Sequence, residues 1–294
     1  GAAFKTAFAD SLTFTGGTMA DNSTITWAGG LYDKDQALTF TGAALVFGAA
    51  SEDITITTGA GDDTIKTGTG STLVGFASNA GSSITIASGA GDDTIEFGYG
   101  TLGDQSSGLI ASITGGKGVD TIKKTSGTNG AIHEVTVTKF VFADGDSVVG
   151  AYDTITGYEA AGSDTGHHAD VIDIATATVG TSIGTTDFGT LKSHSLTNGE
   201  VSFDDISTYA AAVVINSSNL SDATGYLNAN LGTDTSVTFE YDSTGNGSAD
   251  STFVFTNLAS TASSADTLIL LKSTIGVGLF ADTDATTANQ IVID

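Results

Sequence analysis

One segment of the chain occurs three times, and this repeat limits the possible folds more than any other feature. The stretch Ile-Thr-Ile-Thr-Thr-Gly-Ala-Gly-Asp-Asp-Thr-Ile at Ile54 to Ile65 returns, almost unchanged, 30 residues later at Ile84 to Ile95. A looser copy ends 27 residues further on, at Ile122. Each copy reads as a strand, a Gly-Asp turn and a second strand. Such spacing predicts stacked units of a parallel β-solenoid. The alternative is a pair of related hairpins in an antiparallel sandwich.

The rest of the first half shows the same alternation. Short segments rich in Thr, Ser, Val and Ile are separated by glycines, for example at Leu12 to Thr15, at Leu38 to Thr41 and at Glu134 to Phe142. The chain has no proline, so its turns must use Gly, Asn, Asp and Ser. With 39% hydrophobic and 15% charged residues it should fold rather than remain disordered. Residues 1–147 are therefore predicted to form a Gly/Thr-rich, β-roll-like solenoid.

The repeat is absent from the second half, residues 148–294. Strands are predicted at Val171 to Ile174, Val237 to Tyr241, Thr252 to Phe255 and Thr267 to Leu271. Helical patterns cover Tyr209 to Ile215 and Asn219 to Leu231, with Asn219 or Ser221 available as the N-cap of the second. This half is expected to be a β-rich C-terminal module with one or two short helices, and the fold class is otherwise all-β.

The turns of the repeat carry acidic residues at fixed positions. Glycine allows the backbone a positive φ, and adjacent aspartates supply hard oxygen ligands. In stacked units Asp63, Asp93 and Asp120 would lie about 4.8 Å apart, the distance between neighbouring strands. Each unscreened pair of carboxylates at that distance costs on the order of 1–3 kcal/mol. A divalent cation would turn this repulsion into binding, and ligands that are all oxygen favour calcium over zinc or copper.

These turns resemble the nonapeptide Gly-Gly-x-Gly-x-Asp-x-hydrophobic-x of RTX (repeats-in-toxin) proteins. The matching segments are Thr58 to Lys66, Ser88 to Glu96 and Gly115 to Lys123. The resemblance implies that the sixth-position Asp and turn carbonyls bind calcium between coils of a β-roll, and that the eighth residue fills the core. The implied metal-site residues are Gly59, Gly61, Asp62, Asp63, Gly89, Gly91, Asp92, Asp93, Gly116, Gly118 and Asp120. The implied core residues are Ile65, Ile95 and Ile122.

The chain departs from the RTX pattern in two ways. The first position of the motif is Thr58 in one copy and Ser88 in another, where RTX proteins have glycine. The motifs also do not run in tandem, because the nine residues after Lys66 place Thr72 where Asp belongs. We therefore expect fewer shared sites and a wider coil than in a β-roll.

Parts of the second half resemble type I secreted RTX proteins. Asp153 to Tyr158 and Ala169 to Ile174 are similar to the segment that closes the RTX region. Phe239 to Asp250, with the strands that follow it, is similar to the C-terminal module of such proteins, including bacterial surface-layer (S-layer) proteins. The ending Asn289 to Asp294 suits an uncleaved export signal. The resemblance implies type I secretion and an extracellular, cell-surface location.

One loop of the second half has partial EF-hand spacing. Positions 1, 3, 5, 6 and 9 of such a loop would be Asp242, Thr244, Asn246, Gly247 and Asp250. Position 12 is Phe253, so the bidentate Glu is missing. The loop is a second candidate calcium site, with Asp242, Asn246 and Asp250 as ligands. The alternative is a polar hairpin turn.

Charge and residue types argue against several classes of function. The chain has 34 acidic residues against 9 lysines and no arginine, and its net charge of -25 repels nucleic acid and anionic membranes. It has no cysteine, which removes disulfides and thiolate chemistry. No apolar run is long enough for a membrane-spanning helix. The pair His167 and His168, near Asp170, lacks the spacing that puts two imidazoles on one helix face, so a solvated loop is favoured over a metal site. No catalytic residue is predicted, and the protein is not expected to be an enzyme.

Together these features predict a secreted, calcium-binding structural protein that self-assembles as a surface layer or an extracellular filament. Its partners are expected to be further copies of itself, with a cell-surface polysaccharide as a second candidate. Two alternatives stay open. An adhesin-type binding module would contact a sugar, ice or another cell through Thr-x-Thr ladders such as Thr55 and Thr57. A secreted polysaccharide-modifying enzyme should instead place carboxylates beside basic residues in a groove.

Overall fold

The chain folds mainly into β-strands. The computed structural model describes residues 11–19, 24–26, 37–45, 53–66, 83–98, 109–125, 136–160, 170–174, 177–258, 266–281 and 290–293. Within these ranges there is one α-helix, and it is neither long nor apolar enough to cross a bilayer. The chain divides into two compact units, which are Gly1–Val141 with Ala161–Asp170, and Phe142–Ala160 with Val171–Asp294.

The first unit consists of strands that alternate between two sheets. They are β1 (Ser11–Met19), β2 (Thr24–Thr26), β3 (Ala37–Leu45), β4 (Asp53–Thr57), β5 (Thr64–Lys66), β6 (Ser83–Ala90), β7 (Thr94–Gly98), β8 (Leu109–Lys117), β9 (Thr121–Thr125) and β10 (Thr136–Phe142). Odd-numbered strands β1 to β9 are neighbours in one sheet, and even-numbered strands β2 to β10 are neighbours in the other. All of the paired neighbours run parallel. The repeats therefore stack in parallel, and the antiparallel alternative is wrong for these strands.

Equivalent residues of successive repeats lie side by side. In one sheet Ile65 pairs with Ile95 and Ile95 with Ile122. In the other sheet Ile56 pairs with Ile86 and Ile86 with Ile113. All six side chains are at most 1% exposed, while the threonines between them, such as Thr85, are only half-buried. The alternation in the sequence thus fixes the register, because a slip by one residue would turn every isoleucine towards solvent.

Replacing Ile95 with alanine is expected to lower the free energy of unfolding by about 2–5 kcal/mol, because the fully buried side chain leaves a cavity in a stacked layer. Urea denaturation followed by circular dichroism measures the change. The control is Val119→Ala, since Val119 is 43% exposed and its truncation should cost no more than about 0.5 kcal/mol. Equal losses in the two variants would contradict the buried position of Ile95.

The second unit combines antiparallel and parallel pairings. Its strands are β11 (Asp153–Thr156), β12 (Val171–Ile174), β13 (Thr178–Val179), β14 (Ser193–Thr197), β15 (Glu200–Asp204), β16 (Thr235–Tyr241), β17 (Ser251–Asn257), β18 (Thr267–Lys272), β19 (Leu279–Ala281) and β20 (Gln290–Ile293). A hairpin joins β14 to β15, and β16, β17 and β18 form an antiparallel meander. Strands β11, β13 and β15 add parallel pairings to β18 and β16. Strands β12, β20 and β19 are paired antiparallel. The strands predicted for this half are present.

The helix α1 spans Leu220–Asn230, close to the predicted Asn219 to Leu231. Asn219 is the N-cap residue, but its side chain does not cap the helix. Its Oδ1 instead accepts the backbone N–H of Asn216, which fixes the turn that leads into the helix. The helix packs its Tyr226 side chain against Phe203 of β15, and Phe203 in turn packs against Phe239 of β16.

The second predicted helix, Tyr209 to Ile215, does not form. This segment is irregular, and the carboxylate of Asp204 accepts the backbone N–H groups of Ala210 and Ala211. Further along, the N–H of Val213 donates to the carbonyl of Phe203 at the edge of β15. The backbone donors that would begin a helix are thus held by a side chain and by a strand, which overrides the local preference of the alanines.

Candidate metal site

The three acidic turns of the repeat lie directly on one another. They span residues 58–63, 88–93 and 115–120, of which the last two begin in the final residues of β6 and β8, and each leads from an even-numbered strand to the next odd-numbered one. Backbone hydrogen bonds join them, for example from Gly61 N–H to the Ala90 carbonyl and from Gly91 N–H to the Lys117 carbonyl. The predicted metal-site residues of the repeats are therefore brought together in one stack.

Glycine is required where these turns touch. Gly91 and Gly118 have φ of 132° and 134°, a region that favours glycine. A Cβ on Gly91 would overlap the carbonyl of Gly61, and one on Gly118 would overlap the carbonyl of Gly91. Gly89 and Gly116 approach Gly59 and Gly89 in the same way. Four of the six predicted glycines are thus required by close stacking of the backbone, and Gly59 and Gly61 supply carbonyls that two of them approach.

The sixth-position aspartates form what we call the inner column, consisting of Asp63, Asp93 and Asp120. Their exposed fractions are 2%, 1% and 0%. Asp63 N–H donates to Asp93 Oδ1 over 2.7 Å, and Asp93 N–H donates to Asp120 Oδ1 over 2.9 Å. Each of these hydrogen bonds joins two successive repeats. The column is therefore a ladder in which a carboxylate of one repeat holds the backbone of the one before it.

The fifth-position aspartates, Asp62 and Asp92, form an exposed outer column. Asp92 N–H donates to Asp62 Oδ1 over 2.8 Å, and Val119 N–H donates to Asp92 Oδ1 over 2.9 Å. These bonds run in the opposite direction from those of the inner column. In the third turn Val119 occupies the outer position, so the outer column has two carboxylates and the inner column three.

The middle of the inner column is electrostatically unfavourable for an anion. Burial raises the pKa of the Asp93 carboxyl to about 7, and the neighbouring Asp120 and Asp63 carboxylates add to the rise. The hydrogen bond from Asp63 N–H and the nearby Ser88 side chain oppose it only in part. Asp93 Oδ2 is buried and accepts no hydrogen bond. A proton or a cation at this oxygen would relieve the cost of burying the charge.

The donors around Asp93 match a hard cation only in part. Apart from the Lys117 ammonium, which does not bind cations, every polar side-chain atom in the turns is an oxygen, and oxygen ligands suit calcium. In the described part of the chain, however, no three His, Cys, Asp or Glu side chains converge closely enough to hold a metal ion. Turn carbonyls such as that of Gly59 are also engaged, since Gly59 O accepts Ala90 N–H. An ion here would have to share one or two carboxylates with backbone oxygens of the turns.

Hydroxyl groups at the first motif position add a further link between turns. Thr58 Oγ1 donates to the Ser88 carbonyl over 2.5 Å, and Ser88 Oγ donates to the Gly115 carbonyl over 2.8 Å. Both side chains are buried. Gly115 itself must be glycine, because a Cβ there would overlap the Asp120 carboxylate. This ladder gives the first departure from the RTX motif a structural role, and the sequence offered no sign of the carbonyls that accept these bonds.

In the second unit, the loop with EF-hand-like spacing begins at Asp242 and reaches Asp250 just before β17. Asp242 Oδ1 accepts the N–H groups of Thr244, Gly245 and Asn246, and Oδ2 accepts that of Gly247. Burial alone would raise the pKa of Asp242, but these bonds outweigh it and lower the pKa. The loop is thus wound around one ionised carboxylate whose oxygens are already occupied.

The other two predicted ligands of this loop differ from each other. Asn246 is exposed, and its Oδ1 accepts the N–H of Ser248. The Ser243 and Ser251 side chains lower the pKa of Asp250 to about 2, and its Oδ2 is buried without a hydrogen-bond partner. Asp250 is therefore the one predicted ligand here with an oxygen left for a cation.

Asp170, the acidic residue near the His167 and His168 pair, is held in a buried ion pair. Lys124 Nζ lies 2.9 Å from both of its carboxylate oxygens, and the two side chains are 1% and 0% exposed. Asp170 Oδ1 also accepts the N–H of Thr138. The two histidines lie outside the described residues. The ion pair of Lys124 with Asp170 was not predicted from the sequence. The one sequence feature that points to it is the inward position of Lys124 in the alternation of β9.

Comparison with known proteins gives no relative. No protein-family model matches the chain, and no curated protein or solved structure does. The resemblance to RTX proteins therefore depends on the turn residues alone, and the functional argument depends on the geometry of the stack.

In calcium-free buffer the free energy of unfolding is expected to fall as the pH rises from about 4 to about 7. The pKa of Asp93 is about 7 in the folded chain against an ordinary value of 3.8, so the folded state binds the proton more tightly. The stabilisation is complete below the unfolded pKa and is lost as the pH passes the folded one. Urea midpoints at several pH values measure the slope.

Asp93→Asn should reduce this slope, because it removes the carboxyl that titrates. Asp144→Asn removes one charge from an exposed position and should leave the slope as in the unmodified chain. A slope that is the same in Asp93→Asn and in the unmodified chain would show that Asp93 does not contribute.

Proposed function

We propose that the chain is a secreted, calcium-binding structural protein that self-assembles on the cell surface as a surface layer or an extracellular filament. The observation that carries the proposal is the stack of acidic turns, in which Asp93 is buried between Asp63 and Asp120. Buried carboxylates in consecutive repeats destabilise a fold unless protons or cations neutralise them. A structural role of this kind requires no catalytic residue.

The first half is proposed to be a β-solenoid of the β-roll type. Support comes from successive strands that enter alternate sheets, from parallel pairing throughout, and from the identical register of the isoleucines. In a solenoid each repeat contacts only its neighbours, so stability depends on the interfaces between repeats. An ion bound by carboxylates at those interfaces would therefore stabilise the contacts between repeats.

Calcium is the proposed ligand of the turns. Asp93 Oδ2 is the first candidate ligand, because it is buried and accepts no hydrogen bond. The remaining ligands would be one neighbouring carboxylate, of Asp63 or Asp120, and turn carbonyls, with Asp62 and Asp92 of the outer column at the rim. In the second unit Asp250 offers an oxygen beside Asp242 and Asn246. Calcium accepts this mixture of carboxylate and carbonyl oxygens, and it would replace protons as the neutralising charge.

Secretion and calcium binding fit together through linkage. An ion that binds only the folded chain stabilises that state by mass action, by about 2.7 kcal/mol when its concentration is 100 times the dissociation constant. A chain exported unfolded from a cytoplasm low in calcium would then be stabilised outside the cell. The resemblance to type I secreted proteins supports this route, and it gives the extracellular, cell-surface location that we propose.

Self-assembly has to overcome the charge of the subunits. Each chain carries a net charge of -25, so copies repel one another at low ionic strength. Calcium shared between carboxylates of neighbouring copies would offset that repulsion. We therefore propose further copies of the chain as the main partner, with a cell-surface polysaccharide as the anchor.

One observation favours an adhesin-type binding module as the second candidate. On the outer face of the even-numbered sheet, Thr55, Thr85 and Ser112 form one row, and Thr57, Ala87 and Thr114 form a second. All six residues are uncharged and half-buried. These residues form an uncharged patch, which is bordered by Lys139, the partner of Ser112 in the next strand. Such a patch on a strongly acidic protein is suited to a regular neutral surface such as a crystalline polysaccharide or ice.

Calcium at about 1 mM is expected to raise the midpoint of thermal unfolding by several degrees, since binding to the folded state alone stabilises it. Calorimetry in calcium and in EGTA measures the shift. Asp93→Asn should lose most of it, and Asp144→Asn should retain it. Equal midpoints with and without calcium in the unmodified chain would refute the calcium proposal.

Electron micrographs of the purified protein are expected to show ordered sheets or filaments in calcium and their disassembly after chelation. Addition of sodium chloride to the same ionic strength is the control, because general screening should not restore order. Monodisperse particles in both buffers would reject self-assembly and favour the binding module. Pelleting with insoluble polysaccharide or adsorption to ice then tests that second function.

A further inference from the structure

The hydroxyl ladder formed by Thr58 and Ser88 bridges the same turns that the calcium proposal concerns. We infer that these two hydroxyls hold the turns together without a metal, so that the stack forms first and calcium then enters a preformed column. The order of events rests on the proposed function, but the metal-free stack does not.

The bonds of the ladder are buried and specific. Thr58 Oγ1 donates to the Ser88 carbonyl, and Ser88 Oγ donates to the Gly115 carbonyl. Thr58 is 5% exposed and Ser88 is 0% exposed. Loss of either hydroxyl would leave a buried carbonyl without this donor, which costs more than an exposed hydrogen bond because water cannot replace it.

The hydroxyl ladder joins the same turns that carry the candidate metal ligands. The same turns are also joined by the bonds from Asp63 N–H to Asp93 Oδ1 and from Asp93 N–H to Asp120 Oδ1. Each pair of successive turns thus has one side-chain bond from a hydroxyl, one to an inner-column carboxylate and one to an outer-column carboxylate, in addition to backbone bonds. The inner-column bond comes with a buried negative charge, whereas the hydroxyl bond, like the backbone bonds, is neutral and is available at every pH and calcium concentration.

The RTX motif has glycine where this chain has Thr58 and Ser88, and glycine can donate nothing from a side chain. In the third turn Gly115 follows the motif, because the Asp120 carboxylate occupies the space of its Cβ. The hydroxyl donors therefore stand in the first two turns, and Gly115 supplies the last acceptor. This arrangement makes the stack less dependent on a cation than glycine at all three positions would.

The test is amide hydrogen exchange of the full-length protein in EGTA and in 1 mM calcium chloride, read on peptides that cover residues 58–66 and 88–96. The unmodified chain is expected to show protected turn amides even in EGTA. The double variant Thr58→Val and Ser88→Ala should exchange these amides about tenfold faster for each lost hydroxyl. Calcium should restore most of the protection.

Two matched variants separate the ladder from general damage. Thr57→Val with Ser112→Ala makes the same chemical changes on the half-buried outer face and should leave exchange unchanged. Thr58→Ser with Ser88→Thr keeps both hydroxyls and should retain most of the protection in EGTA.

Each outcome decides one claim. Unprotected turns of the unmodified chain in EGTA, or equal exchange in the double variant and the unmodified chain, would overturn the metal-free stack. Faster exchange in the double variant supports the ladder, and exchange of the unmodified chain that is equal in EGTA and in calcium would refute the calcium proposal without affecting the ladder.

Discussion

Parallel stacking in register places identical residues of successive repeats next to one another. The core of the first unit and the charge of its turns both follow from this constraint. For isoleucine the result is favourable, since Ile65, Ile95 and Ile122 form one continuous buried layer. For aspartate it is unfavourable, since the same register brings Asp93 between two further carboxylates. A repeat that improves its core by stacking therefore also concentrates charge at its turns. The fold tolerates these buried carboxylates only because backbone N–H groups, protons or cations offset their electrostatic repulsion.

The chain accommodates its buried carboxylates in three different ways. In the second unit, Asp204 and Asp242 are each surrounded by backbone donors, which lower the pKa of both. Asp170 is paired with a buried lysine. Asp93 has a single N–H donor and carboxylates on either side, and its pKa rises. The contrast shows that burial alone does not decide the charge of an aspartate, because the number of donors around it does.

The sequence predicted those parts of the fold that depend on local periodicity. The alternation around Ile56 and Ile86 indicated strands, and the repeat indicated their parallel stacking. The helix at Leu220–Asn230 was visible as an apolar stripe. The segment 209–215 was misjudged because its donors are taken by Asp204, whose position depends on the tertiary fold. The ion pair of Lys124 with Asp170 could not be predicted, since the partners are 46 residues apart in sequence.

The candidate metal site also has features that the sequence predicts and features that only the structure shows. The contact between Asp63 and Asp93 follows from the repeat length, and the direction of their hydrogen bond does not. The roles of Thr58 and Ser88 were hidden because a departure from a motif gives no indication of its new partner. The carbonyls that accept their hydrogen bonds are known only from the structure, in which the repeats stack on one another.

The acidic turns and the return connections between repeats differ in how much they vary in length. The buried isoleucines before and after each acidic turn are nine positions apart in sequence, namely Ile56 and Ile65, Ile86 and Ile95, and Ile113 and Ile122. The return connections differ, since 21 residues lead from Ile65 to Ile86 but only 18 from Ile95 to Ile113. An insertion in an acidic turn would disrupt the close stacking of its glycines on the neighbouring turn, whereas the return connections already differ by three residues in length. Additional residues, such as an engineered epitope, are therefore better placed in a return connection than in an acidic turn.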